Sequence, residues 1–406
     1  MTAARILGLG TYPILKPIHG GQRRVAAFKK FYEDRNIAYA YASVYNTSHY
    51  KRPDIGVYDY HLDVSKTELW LTNVIGDLMA GQQAATDPTT FQHFSDLVEQ
   101  LRPDFIELEQ PFMWPVAKRL RQIMGSRKPR LIYSSQNVEA PLKRTVLASS
   151  EARLELRDKI CSEIEDMEAE IAREADAIFC VSRADHDFYR HELKASCRIV
   201  VVPNGVDRPV NGAIHGMPEG LSDFDGRRYP MTVSSAHVPT IDGMCHYIIN
   251  GGVFCAPPSP SIAICGGVAG PIFNHPQYQR YRIANKQRVR FFFEITDAEL
   301  AAIKRSCHGV FLPIRSGGGT NLKTAEALAL GKWVVATTTA LRGFERVSGA
   351  EGVIVADTPA DFKQAIRQVL QRPPLEITER SRAARDTLYW DRCFAESGLS
   401  AFFDQA

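Results

Sequence analysis

Residues 309 to 344 read GVFLPIRSGGGTNLKTAEALALGKWVVATTTALRGF. An apolar run meets three glycines, a helix-period segment opens near Thr320 and stops at Gly331, and a second apolar run, KWVVAT, follows. Strand, glycine turn, helix and strand in this order form the repeating unit of a parallel sheet covered by helices. Glycines let a ligand approach the backbone, and the unbonded amides at a helix start, with the helix dipole, favour an anion. Gly318, Gly319, Thr320 and Asn321 supply such a loop, Lys323 adds positive charge, and Glu326 on the second turn can accept bonds from hydroxyls. A phosphate attached to a polyhydroxy group fits this set. A P-loop does not, because GGGTNLKT lacks the GK[ST] ending. A plain strand-turn-helix connection is the alternative that these residues leave open.

Outward from this segment the same alternation continues. Strands are expected at 5–11, 37–45, 68–75, 105–111, 130–137, 177–182 and 198–204, and again at 228–236, 261–267, 289–295, 309–315, 332–337 and 352–356, with the clearest helix at 151–176. Between the two sets lies PNGVDRPVNGAIHGMPEGLSDFDG, with the composition of a linker. The expected architecture is α/β with two doubly wound parallel-sheet domains, 1–205 and 206–385. In open sheets of this kind ligands bind beyond the carboxyl ends of the strands, which places the expected site in a cleft between the domains.

Composition excludes several classes. With 406 residues, 45% hydrophobic and 23% charged, the chain is too long for a single small module and too apolar for disorder. A net charge of +3 argues against nucleic acid as an obligate partner. No run approaches the roughly 18 to 20 apolar residues of a membrane span. The opening segment imitates a signal peptide, but Gly8, Gly10 and Pro13 interrupt it, so it reads as a first strand and loop. The eight cysteines are scattered without CxxC spacing, which favours reduced, buried thiols in the cytoplasm and no metal site. GLGTYP lacks the third glycine of a nicotinamide-binding turn.

Across nearly its whole length the sequence resembles glycosyltransferases of the GT-B fold, in particular the retaining family 4 group and its GGGTxLK branch. The matching segments are PIHGGQRR, YSSQNVE, AREADAIFCVSRAD, VVPNGVD, SSAHVPTIDG, GGGTNLKTAEALALGKWVVAT and Tyr389-Trp390, in that order. The resemblance implies two Rossmann-like domains, with residues 386–406 as a final helix packing back toward the first. It implies a nucleoside-diphosphate sugar as donor substrate, no cofactor and no metal, and a saccharide or lipid-linked acceptor. Gly20 and Gly21 would form a loop whose backbone approaches the diphosphate. Gly318, Gly319 and Thr320 would contact diphosphate and sugar, and Glu326 would hold the ribose. Three positions depart from the pattern: Gly318 replaces a first glutamate, His237 and Asp242 stand where an Arg and a Lys neutralise the leaving group, and Gln136 replaces a histidine near the sugar. Charge must then come from Lys323, Arg315 or another residue. Gln136 cannot transfer a proton at neutral pH but can hydrogen-bond a hydroxyl. A front-face mechanism, which needs orientation more than a base, tolerates this.

Other residues read as structural first. His19 is expected to be exposed, Glu139 to cap a helix or pair with Lys143 and Arg144, Asn204 to serve a turn, and Trp390 to pack the final helix across the two domains. Arg23, Arg24, Lys29 and Lys30 read as a solvated helix face, with peripheral contact to an anionic membrane surface as the alternative. Two competing functions remain: a sugar-nucleotide epimerase on the same fold, and a non-catalytic nucleotide-sugar-binding partner of another transferase.

Overall fold

The computed structural model describes residues 4–45, 50–62, 69–148, 152–209, 220–224, 226–236, 238–259, 261–317 and 319–404. Two parallel sheets organise these residues. The first contains β1 (Arg5–Gly10), β2 (Ala38–Tyr45), β3 (Tyr60–His61), β4 (Phe105–Leu108), β5 (Arg130–Ser134), β6 (Ala177–Cys180) and β7 (Arg198–Val201), in the order β3-β2-β1-β4-β5-β6-β7. The second contains β8 (Pro230–Val233), β9 (Ile262–Cys265), β10 (Val289–Phe292), β11 (Gly309–Leu312), β12 (Trp333–Ala336) and β13 (Val353–Val355), in the order β10-β9-β8-β11-β12-β13. Strands β4, β6, β9 and β11 are buried at every residue, as expected where helices cover both faces. Each sheet reverses its strand order once, between β1 and β4 and between β8 and β11. The loops leaving those paired strands diverge there, and that is where open sheets hold ligands.

Six helices matter below: α1 (Gly20–Glu33), α2 (Leu69–Thr86), α3 (Glu139–Ala148), α4 (Leu154–Glu174), α5 (Asp297–Ser306) and α6 (Leu322–Ala329). The chain forms two compact units, Met1–Pro203 with Cys393–Ala406, and Asn204–Arg392. Residues 393–404 bring Phe394, Phe402 and Phe403 against Phe28, Tyr32, Phe105 and Phe179 of the first unit. The cysteines lie in the cores, Cys197 only partly, and no disulfide joins them. Among the described residues no helix is long and apolar enough to cross a membrane.

Two sequence expectations are corrected. Residues 69–75 are helical, not extended, and form the start of α2, which kinks at Ile75. A short, mostly apolar run is compatible with a buried strand or a buried helix. Here Ile75, Leu78 and Ala85 recur at helical spacing on the buried side, and Gly81 lets α2 touch the turn Pro111–Met113 beyond β4: a Cβ there would lie 1.8 Å from the Phe112 carbonyl oxygen. Arg24 is likewise no part of a basic face. It lies on the inward stripe of α1 with Val25, Phe28, Phe31 and Tyr32, donates from Nη1 to the Val202 carbonyl at 2.9 Å, and sits over the Phe28 ring. Lys29 and Lys30 pair with Glu33 and Asp34 one turn on.

The interior of the first unit holds a polar cluster that explains Gly8 and Gly10. Tyr39 donates to Glu109 Oε1 and Tyr32 to Glu107 Oε1, both at 3.0 Å. A Cβ at Gly8 would lie 2.2 Å from the Tyr39 hydroxyl, and one at Gly10 would lie 2.1 Å from that of Tyr41. These glycines therefore clear a path for tyrosine hydroxyls. Burial pushes the Glu107 carboxyl well up, and the Glu109 carboxyl up to about 7. A group held protonated by the fold stabilises it fully below the unfolded carboxyl range, and this stabilisation is lost as pH rises through about 7. The first unit should therefore melt progressively lower between pH 5 and pH 8, by roughly 2 to 4 °C per kcal/mol lost. Glu109→Gln, which mimics the protonated acid, should flatten that slope in differential scanning calorimetry; an unchanged slope would remove Glu109 as its source.

Candidate functional site

In the second unit, β11 runs out at Leu312 and the glycine loop begins. Gly317 (φ 142°) and Gly319 (φ 56°) take backbone conformations that side-chain-bearing residues avoid. The loop is pinned from two directions. Arg342 donates to the Gly319 carbonyl from Nε at 2.9 Å and Nη2 at 2.8 Å. Asn204 Nδ2 donates to the Thr320 carbonyl at 3.1 Å and to its hydroxyl at 2.9 Å. Asn204, expected to serve only a turn, thus holds the loop. Asn321 caps α6, its Oδ1 accepting from the Lys323 amide at 3.0 Å. Gly318 and His237 lie outside the described residues.

From the first turn of α6, Lys323 reaches across the reversal in strand order and donates to Ser234 Oγ at 2.5 Å, just beyond β8. Burial lowers the Lys323 pKa to about 8, against the opposing pull of Glu326. Glu326 is paired through Oε2 with Lys304 Nζ at 2.7 Å, each side chain about one fifth exposed. Lys304 comes from α5, which Thr296 and Glu299 cap reciprocally. Met231, Val233, Val310, Leu312 and Leu330 complete an apolar wall around Lys304, Lys323 and Glu326. A small pocket therefore presents two ammonium groups, one carboxylate and apolar surface beside a glycine loop. Arg315 stands apart from it, 3.3 Å from Asp242 and half-exposed. Such a pair contributes little and leaves Arg315 largely compensated.

In the first unit the expected glycine loop is a helix start. Gly20 and Gly21 form the first turn of α1 behind His19, and Gln22 Oε1 accepts from the amides of Ile18 at 2.8 Å and His19 at 3.2 Å. Gly21 lies against Gln136: a Cβ on it would be 2.6 Å from Gln136 Oε1 and 2.5 Å from the Tyr12 hydroxyl. Tyr12 donates to Gln136 Oε1 at 3.0 Å and meets His19 edge-on. Burial lowers the pKa of His19, which is therefore neutral at pH 7. Glu139 does not cap α3. Its carboxyl accepts from Asn137 at 3.2 Å, while Glu168 of α4 accepts the amides of Glu139 and Ala140 at 2.9 and 3.1 Å. Arg144 pairs with Glu165 instead, while Lys143 donates to the Val74 carbonyl and still acts on the Glu139 carboxyl. Trp390 packs on Gly205, and its amide donates to the Val206 carbonyl at 3.0 Å.

Sequence reading missed Tyr12, Ser234, Lys304 and Arg342. Each acts on a residue at least 22 positions away, outside its own element, and only an unpaired-looking cation on an otherwise amphipathic helix hinted at Lys304.

Residues 79–208 match the family described as Glycosyltransferase Family 4, and residues 261–372 match the family described as Glycosyl transferases group 1. No curated protein sequence matches the chain. Among solved structures, a sucrose-phosphate synthase from Thermosynechococcus elongatus is 14% identical with a TM-score of 0.67, over 99% of this chain and 100% of that one. Anabaena Alr3699/HepE in complex with UDP is 15% identical with a TM-score of 0.63, over 99% and 100%. The E. coli trehalose-6-phosphate protein bound with UDP-2-fluoro glucose is 12% identical with a TM-score of 0.60, over 99% of each. The two parallel-sheet units are those of the GT-B fold.

Proposed function

We propose that this chain, an enzyme with glycosyltransferase domains on a GT-B frame, moves a sugar from a nucleoside-diphosphate donor to a saccharide or lipid-linked acceptor hydroxyl with retention. The observation that carries this reading is the Lys323 bridge to Ser234 beside the capped start of α6, with Glu326 one turn beyond. The amides and Thr320 hydroxyl of the glycine loop suit the diphosphate, Lys323 supplies charge for the leaving group, and Glu326 suits ribose hydroxyls. In the transfer step the bond from the anomeric carbon to the diphosphate oxygen breaks. The bond to the acceptor oxygen forms on the same face, and the acceptor proton passes to the leaving phosphate. Orientation and charge stabilisation suffice for this, without a basic side chain at position 136. UDP-sugars are the first donors to test, since Anabaena Alr3699/HepE is solved with UDP-glucose.

The test is donor binding by ligand-observed NMR and nucleoside-diphosphate release, with a panel of UDP-, GDP-, ADP- and dTDP-sugars. Glu326→Gln, which keeps a partner for Lys304, should weaken the bound donor by roughly 1 to 3 kcal/mol, about five- to a hundred-and-fiftyfold. A chelator should leave turnover unchanged if Lys323 and the loop amides carry the leaving-group charge. The product's anomeric configuration reports retention directly. Donor binding without turnover across a broad acceptor extract would favour the non-catalytic reading, and no donor binding at all would end the transferase proposal.

A further inference from the structure

We propose that Tyr12 is a positioning residue that fixes the Gln136 amide as a hydrogen-bond donor toward an oxygen of the bound saccharide. This rests on the transferase reading above and adds a residue and a polarity to it.

Tyr12 is itself rigidly held. It is buried beside Pro13, its carbonyl accepts from the Tyr41 hydroxyl at 2.7 Å, and its ring meets His19 edge-on with centroids 4.8 Å apart. Its own hydroxyl proton goes to Gln136 Oε1. The same oxygen faces Gly21 in the first turn of α1, where the free amides and the helix dipole favour an oxygen over an N–H. The helix start sets the amide oxygen on that side, and the Tyr12 hydroxyl, which can donate or accept, then donates to it. Gln136 Nε2 is then left buried with no hydrogen-bond partner among the described residues. A buried N–H group of that kind is costly unless a ligand atom accepts from it. The ligand atom is therefore an acceptor. Glu109, Asp77 and Glu139 all lie close enough to act on the Tyr12 hydroxyl. Three acidic groups acting on Tyr12, against the one Arg23 that acts on neighbouring His19, weigh against a phosphate here and suit a neutral polyol. This assigns the Gln136 side of the first unit to saccharide.

The donor's sugar and the acceptor's saccharide share this chemistry, and the experiment separates them. Full-length Tyr12→Phe, Gln136→Leu, Gln136→Glu and the double variant Tyr12→Phe/Gln136→Leu are compared for UDP affinity, donor hydrolysis and transfer. UDP affinity should stay within about twofold of wild type throughout, because the α6 loop is untouched. Gln136→Glu is nearly isosteric yet replaces a donor by an acceptor. It should lower transfer at least about tenfold at pH 8 and recover as pH falls and the carboxyl gains a proton. Tyr12→Phe should lower transfer about three- to tenfold in the wild-type background and have no further effect in the Gln136→Leu background, the signature of acting through Gln136. Loss in hydrolysis as well as transfer assigns the contact to the donor's sugar; a raised KM for acceptor alone assigns it to the acceptor. Wild-type transfer by Gln136→Glu at every pH, or independent, multiplying losses at positions 12 and 136, would overturn the proposal. Failure of the wild type to bind UDP or any other nucleoside diphosphate would instead overturn the transferase reading.

Discussion

Lys323→Met is expected to weaken nucleoside-diphosphate binding roughly ten- to a hundredfold at pH 7, the range for a lost hydrogen bond to a charged group. It should also abolish a pH dependence that the wild type shows. In the free protein burial holds the Lys323 pKa near 8, so part of its charge is already lost at mildly alkaline pH. A diphosphate beside the ammonium stabilises the charged form and raises the pKa again. Binding must then take up protons, and wild-type affinity must fall as pH rises above about 8 and hold below it. Calorimetric titrations at pH 7 and 9.5, in buffers of different ionisation enthalpy, measure both affinity and proton uptake. Constant wild-type affinity over that range would mean that Lys323 does not touch the diphosphate.

Gly243→Ala is expected to have the largest effect on stability, about 3 kcal/mol or more in urea unfolding, with nucleotide affinity lost alongside. The added Cβ would lie 1.8 Å from the Pro313 carbonyl oxygen. That oxygen belongs to backbone, not to the end of a flexible side chain, so the helix Val238–Met244 and the loop after β11 must separate. The helix follows closely on Ser234 and the loop leads into the glycines, which couples fold to binding. Gly270→Ala is the control: nothing lies within 4 Å of its added Cβ, and the residue sits in the short helix Ala269–Asn274. It should change stability by no more than about 1 kcal/mol, in the stabilising direction. Equal effects at the two positions would contradict the contact at Gly243.

The strands of the second sheet were legible because each is a short apolar run bounded by polar or glycine residues, as in SIAICGG and KWVVAT. Their ends were overestimated by a few residues, since GVFLPIR stays apolar past Leu312, where pairing stops. ELWLTNVI failed for another reason: eight mostly apolar residues broken only by Thr72 and Asn73 are too few to show a period, and only the continuation to Thr86 reveals a helix. Tyr60–His61 is too short to leave any pattern. In the candidate site, Lys323, Glu326 and the capped glycine loop followed from local spacing. The Lys304 partner of Glu326 and the Arg342 clamp on Gly319 did not, because each joins separate elements 22 and 23 positions apart, beyond the reach of helical spacing. Gly8 and Gly10 were excluded from a nucleotide role by a missing third glycine, yet their actual task, clearing tyrosine hydroxyls, depends on β2 lying alongside β1.

The discontinuous first unit has a consequence for biosynthesis. Its aromatic layer closes only when Phe394, Phe402 and Phe403 arrive, about 190 residues after Pro203. At about 5 to 20 residues per second, a ribosome takes roughly 10 to 40 seconds to cover that distance. Throughout that interval Phe28, Phe105 and Phe179 face the nascent chain's surroundings without their partners. The second unit, continuous from Asn204 to Arg392, can close first although it is translated later. Chaperone dependence during translation should therefore centre on the amino-terminal half, and slower elongation through the second half should worsen it.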